Sequence, residues 1–160
     1  MDMSEILIHL KIDNYLAQWL IHECGGCPVV FKKHSVENNI LYVNLKKRPL
    51  FGKKDKPGEG KVPIALPYFK DRDPREYNFL SKPARLALAE CIRNRFVVQL
   101  WKDLHRFGNI GKRKQDLIWA WMDAHGIEAT ETNWNTIAKI YKRKRDIYRK
   151  REQRKDVKKS

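Results

Sequence analysis

The feature that most restricts the fold is a run of apolar residues spaced four apart: Ala84, Leu88, Ile92, Phe96, Leu100 and Leu104. Val97, Val98 and Trp101 widen it. Spacing of three and four is the signature of one face of an α-helix, so the run predicts a long central helix over 84–107. Ser81 supplies a cap ahead of it, and Pro83 falls in the first turn, where a missing N–H costs little. Gly108 marks its end.

Two shorter helical patterns follow. Leu117, Ile118, Trp121 and Met122 predict a helix over about 115–124. His125-Gly126-Ile127 then reads as a glycine cap with a hydrophobic residue just after it. Thr130 or Thr132 caps a third helix, whose Trp134, Ile137, Ala138 and Tyr141 share one side. Its other side and its distal half are cationic.

Before residue 70 the patterning is different. Ile6, Ile8, Leu10 and Ile12 alternate with Leu7, His9 and Lys11, as in a strand with one buried face. Tyr15, Leu16, Trp19 and Leu20 predict a short helix after Asp13 and Asn14, ended by Gly25 and Gly26. Val29–Phe31 and the alternating 40–45 read as strands, with Asn38-Asn39 as a turn. Residues 48–61 hold two prolines, three glycines and Lys53, Lys54, Lys56 and Lys61, which predicts an exposed, mobile, basic loop. Val62–Phe69 reads as an edge strand or extended segment, because Pro63 and Pro67 each lack a ladder donor. The expected fold is α+β. A small N-terminal mixed sheet with one helix occupies 1–70, and a three-helix half ending in a long basic helix occupies 76–160.

Charge directs the functional reading. The chain of 160 residues has 34 Lys and Arg against 19 Asp and Glu, a net +15 and a pI near 9.9. From residue 139 to 160 there are twelve basic and three acidic residues, a net +9, so the preceding 138 residues carry only +6. A localised basic arm on a mildly basic body is the electrostatic footprint of a nucleic-acid binder. No apolar run approaches the roughly 20 residues that cross a bilayer. The N-terminus lacks the pattern of a signal peptide. Three cysteines, an odd number, argue against a secreted disulfide scaffold. A cytoplasmic protein without membrane contact is expected.

The second and third helices, joined by a glycine-containing turn, resemble a helix-turn-helix in the broad sense over 115–150. That resemblance implies a third helix entering the major groove of duplex DNA. Thr132, Asn133, Asn135, Thr136 and Lys139 would then stand in the turns that reach base edges. The stretches LWKDLHRFG and NWNTIAKIY resemble small proteins carried by bacterial phages and mobile elements, and assign no role to single residues. Lys112, Arg113 and Lys114 precede the second helix, where N–H groups and added cations favour a phosphate. Lys142, Arg143, Lys144, Arg145, Arg149 and Lys150 complete the candidate interface. Residues 145–160 read as a tail that either continues the helix or frays.

Other chemistry is thinner. His22, Cys24, Cys27 and His34 offer two thiols and two imidazoles for zinc as an alternative to the expected absence of any metal. Glu59-x-Lys61 and Asp71-x-Asp73 suggest a metal-dependent nuclease, although both lie in loop-like sequence. No phosphate loop or nucleophile elbow is present. Trp119 falls off the stripe formed by Leu117 and Trp121 and is expected at the surface. The expected function is a non-enzymatic nucleic-acid binder without a cofactor, acting on duplex DNA. The alternative is an interaction module that docks an acidic partner or forms a homodimer.

Overall fold

The alternating N-terminal segment forms β1 (Leu7–Lys11), with Ile8 and Leu10 buried. A computed structural model describes residues 6–107 and 113–159. Three strands and two helices follow before the central helix: α1 (Asn14–Glu23), α2 (Val36–Asn44), β2 (Lys46–Lys47), β3 (Lys61–Ala65) and β4 (Tyr77–Phe79). The last three helices are α3 (Lys82–Phe107), α4 (Lys114–Ala124) and α5 (Glu131–Lys159). The chain is α+β and separates into two units, Met1–Asn94 and Arg95–Ser160.

In the first unit β1 pairs antiparallel with β3, placing Leu10 opposite Val62 and Ile8 opposite Ile64. Both pairs are buried. A second, smaller antiparallel sheet pairs β2 with β4. The expected mixed sheet is therefore two antiparallel ribbons. Val29 contributes a single parallel bridge to Ile64 in place of the expected strand. Its N–H donates to the Pro63 carbonyl and its own carbonyl accepts from Ala65, both at 2.9 Å. Pro63 turns its N and its carbonyl to the same side. That side meets only this isolated bridge, so the missing donor interrupts no ladder and Pro63 sits where a strand tolerates it.

Residues 40–45 correct the expectation of a strand. Residues 40–44 belong to α2 and Leu45 is its C-cap, so the N-terminal segment holds two helices before β3 instead of one. Alternation over six residues fits a helix as well as a strand when the buried positions are also four apart. Glu37, Leu41 and Leu45 are buried at that spacing. The deciding local contact is Ser35, whose hydroxyl accepts from Asn38 N–H at 3.1 Å. This hydroxyl satisfies a first-turn donor and starts the helix at Val36. Asn38 and Asn39 lie within that helix. At its other end, the Arg72 guanidinium donates to the carbonyls of Tyr42 and Leu45.

The loop between β2 and β3 is exposed but fastened, contrary to the expectation of a mobile segment. Asp55 Oδ2 accepts from His9 N–H at 2.8 Å and lies 2.7 Å from His9 Nδ1. Its Oδ1 accepts from Arg85 at 2.8 Å. Arg85 also donates to the carbonyls of His9 and Leu80.

The predicted central helix forms as α3, and Ser81 Oγ accepts from Ala84 N–H. All six residues of the four-step run are buried. A step of four overshoots a helical turn by about 40°, so this stripe winds round α3. The division between the two units falls midway along it, between Ile92 and Phe96.

In the second unit Phe96 meets Trp121 edge-on at 5.4 Å. The Trp121 indole N–H donates to Asp103 at 2.9 Å. α4 ends as its sequence predicts. Gly126 has φ +71°, and Ile127 N–H reaches back to the Met122 carbonyl at 2.9 Å while its side chain is buried. Thr130 Oγ1 accepts from Asn133 N–H at 3.1 Å and opens α5.

Candidate nucleic-acid interface

α5 is a helix of 29 residues, about 44 Å long. Its proximal part is built into the second unit through Asn133, Ile137 and Tyr141, all buried and four apart. Its last aromatic contact is Tyr148, 39 % exposed, whose ring centroid lies 5.4 Å from Trp101 and 5.0 Å from His105. Trp101 also touches Tyr141 at 5.6 Å and stacks on His105 at 4.7 Å. Beyond Tyr148 every described residue is exposed except the half-buried Glu152. The helix nevertheless continues to Lys159, which resolves the choice between helix and frayed tail in favour of helix.

Helical winding sorts the charges. At about 100° per residue, Lys139, Arg143, Lys144, Lys150, Arg151, Arg154, Lys155 and Lys158 fall within one arc of about 160°. No acid falls in that arc. Asp146, Glu152 and Asp156 fall in the remainder, together with Lys142, Arg145, Arg149 and Lys159. Among the described residues Lys155, 3.4 Å from Glu152, is the one cation of α5 held in an ion pair. The eight-cation arc extends about 28 Å along the axis from Lys139 to Lys158. Arg151, Arg154, Lys155 and Lys158 belong to it although the candidate residues chosen from sequence end at Lys150.

The turn preceding α4 is less open than expected. Lys112 lies outside the described residues. Arg113 is exposed at the N-cap position, without a side-chain capping bond. Lys114 is half-buried, with its Nζ 4.4 Å from the centre of the Tyr141 ring. Burial first, then the fields of Arg145 and Arg149, hold its pKa below the usual lysine value. Arg145 carries a buried Nε with no partner among the described residues. Lys114, Arg145 and Arg149 thus form a crowded cationic group on the side of α5 opposite the centre of the acid-free arc.

The candidate base-reading residues divide. Thr132, Asn135 and Lys139 are exposed. Thr136 returns its hydroxyl to the Thr132 carbonyl at 3.0 Å. Asn133 is buried, and its amide donates to the Glu128 carbonyl at 3.0 Å, so it serves the turn between α4 and α5. Lys114, the first residue of α4, meets Tyr141, eleven positions into α5. Trp119 stacks on Trp134 with centroids 6.1 Å apart. The Trp134 indole N–H also donates to the Gln115 carbonyl at 3.4 Å, so these side-chain contacts join α4 to the first three turns of α5. Trp119 is at the surface as its off-stripe position predicts, 37 % exposed.

Among the described residues no three His, Cys, Asp or Glu side chains are grouped to hold a metal ion. His22, Cys24, Cys27 and His34 do not form such a group. Of the nuclease carboxylates, Asp71 accepts from the Tyr42 hydroxyl at 2.7 Å, and Asp73 is engaged by Arg75 at 2.7 Å. No helix among the described residues is long and apolar enough to cross a membrane. Compared with protein-family models, curated proteins and solved structures, the chain matches none.

Proposed function

We propose that this protein binds nucleic acid, and duplex DNA in particular, by laying the acid-free arc of α5 against the phosphate backbone. The observation that carries the reading is the segregation of eight cations from all three acids of the distal helix, on a segment held by aromatic packing at its base. A rigid cationic rod about 28 Å long suits a regular array of phosphates, and releasing their counterions supplies affinity without reading sequence. Contacts to base edges from Thr132 and Asn135 are secondary in this reading. In this reading it is a binding function without a reaction, acting in the cytoplasm.

The test is a mobility-shift titration with duplex DNA, using the wild-type chain and the variant Arg143→Glu, Lys150→Glu, Arg154→Glu. The three positions are exposed, so the fold is expected to survive, with circular dichroism as the check. Affinity is expected to fall at least a hundredfold. Unchanged affinity, or no shift by the wild-type chain at moderate salt, rejects the reading; the latter result favours an acidic protein partner.

A further inference from the structure

The fastened loop between β2 and β3 ends in an unusual tip. Gly52 N–H donates to the Pro49 carbonyl at 2.8 Å and closes a four-residue turn with Leu50 and Phe51 at its centre. Both side chains are 95 % exposed. The turn is tight: a Cβ on Gly52 would lie 2.9 Å from Pro49 Cδ and 3.1 Å from its carbonyl oxygen. Around the tip stand Lys46, Lys47, Arg48, Lys53, Lys54 and Lys56, all exposed. Between residues 46 and 56 the one acid is Asp55, occupied by Arg85 and His9, while Lys47 lies 4.0 Å from Glu76. The loop thus holds an apolar point inside a cationic collar, tied down three residues after the turn.

That combination specifies an occupant. The collar needs a polyanion, and the tip needs an apolar interior within a few ångströms of the anionic groups. A nucleic-acid duplex has phosphates outside and stacked base faces inside, and Leu and Phe are side chains that enter between base steps as wedges. Because Asp55 already orders the loop, insertion loses little conformational freedom. We propose that the Pro49–Gly52 turn is an insertion tip, in which Leu50 and Phe51 wedge into a base step of duplex DNA and kink it while the flanking cations hold phosphates on either side. This inference rests on the reading that the ligand is nucleic acid, and it uses residues that α5 does not supply.

The experiment is energy transfer across a short duplex with a dye at each end and a 2-aminopurine within, titrated with the wild-type chain, with Leu50→Ala/Phe51→Ala, and with the α5 variant described above. The wild-type chain is expected to bring the ends together, consistent with a kink of about 20–90°, and to raise 2-aminopurine emission by unstacking. The tip variant is expected to bind roughly tenfold more weakly, to lose both optical changes, and to keep the same salt dependence, since no cation is removed. Equal kinking by the tip variant, or wild-type binding without a kink, overturns the inference while leaving the α5 reading intact. Wild-type chain that leaves DNA straight yet sediments with phosphatidylserine vesicles, in a manner lost in the tip variant, reassigns the tip to lipid and also overturns it. Loss of binding in the α5 variant alone tests the earlier reading, so the two fail separately.

Discussion

Arg85 and Asp55 lie 30 residues apart in sequence and 2.8 Å apart in space, and their ion pair joins the start of α3 to the loop between β2 and β3. Asp55 also receives the His9 N–H, so one carboxylate serves three donors on two other elements. Its removal leaves the partly buried Arg85 guanidinium with carbonyl partners but no counter-charge, and leaves the His9 N–H unmatched. Asp55→Ala is expected to lower unfolding stability by about 2–3 kcal/mol in urea titration. Arg85→Met is expected to cost less, because Asp55 keeps His9. Trypsin should cleave after Lys53 and Lys54 faster in Asp55→Ala than in the wild-type chain. Equal cleavage rates count against the loop being held.

The two sides of α5 give a matched comparison. Glu at Lys142, Arg149 and Lys159 changes net charge as much as Glu at Arg143, Lys150 and Arg154. DNA affinity is expected to fall several times further for the second set. If all eight cations of the arc meet phosphates, log affinity against log salt has a slope of about −7, and the second set reduces its magnitude by about 3. Equal losses for the two sets indicate attraction by net charge without an oriented surface.

Tyr42 and Asp71 give a pH signature. The hydrogen bond from Tyr42 lowers the Asp71 pKa below its ordinary 3.8, and the same bond raises the Tyr42 pKa above its ordinary 10.0. A depressed carboxylate pKa adds stability that is present above 3.8 and lost as pH falls through the folded value. A raised phenol pKa adds stability that is present below 10.0 and lost as pH rises through the folded value. The stability difference between the wild-type chain and Tyr42→Phe is therefore expected to be flat between these limits and to shrink outside both. Thermal unfolding of the two proteins across pH measures it. A difference that changes steadily through neutrality contradicts the assignment.

The base of α5 separates global from local stability. Ile137 is fully buried, so Ile137→Ala is expected to cost about 2–5 kcal/mol of global stability. Tyr148→Ala removes only the contact with Trp101 and His105, and about 1 kcal/mol is expected. Its larger effect should be faster amide exchange from about residue 145 onward. Uniform acceleration across the second unit contradicts a local role.

Legibility in the sequence followed the range of the interaction. The four-step run, the Gly126 cap with Ile127 behind it, and Thr130 at the start of α5 are each decided within a turn or two of chain, and each forms as its residues predict. Residues 40–45 are too few to separate a period of 2 from one of 3.6, and the Ser35 hydroxyl, five residues upstream, settles the matter. The bond between Asp55 and Arg85 has no local signal, so a composition that suggests mobility hides a tethered loop. The basic arm was readable as charge. Its acid-free side required the helix to continue to Lys159, a length that its polar composition leaves undecided.

The distal end of α5 is also at odds with itself. Lys150 and Arg154, Arg151 and Lys155, Arg154 and Lys158, and Lys155 and Lys159 each stand one turn apart, and each such like-charge pair weakens a helix by about 0.2–0.5 kcal/mol. Among the described residues beyond Tyr148 none is buried, so no core packing offsets that repulsion. Salt consequently acts on two equilibria in opposite senses, quieting the repulsion that loosens the free helix while weakening its hold on a polyanion. A bound strand of phosphates relieves the repulsion directly, so the ligand and the secondary structure of its own docking arm reinforce each other.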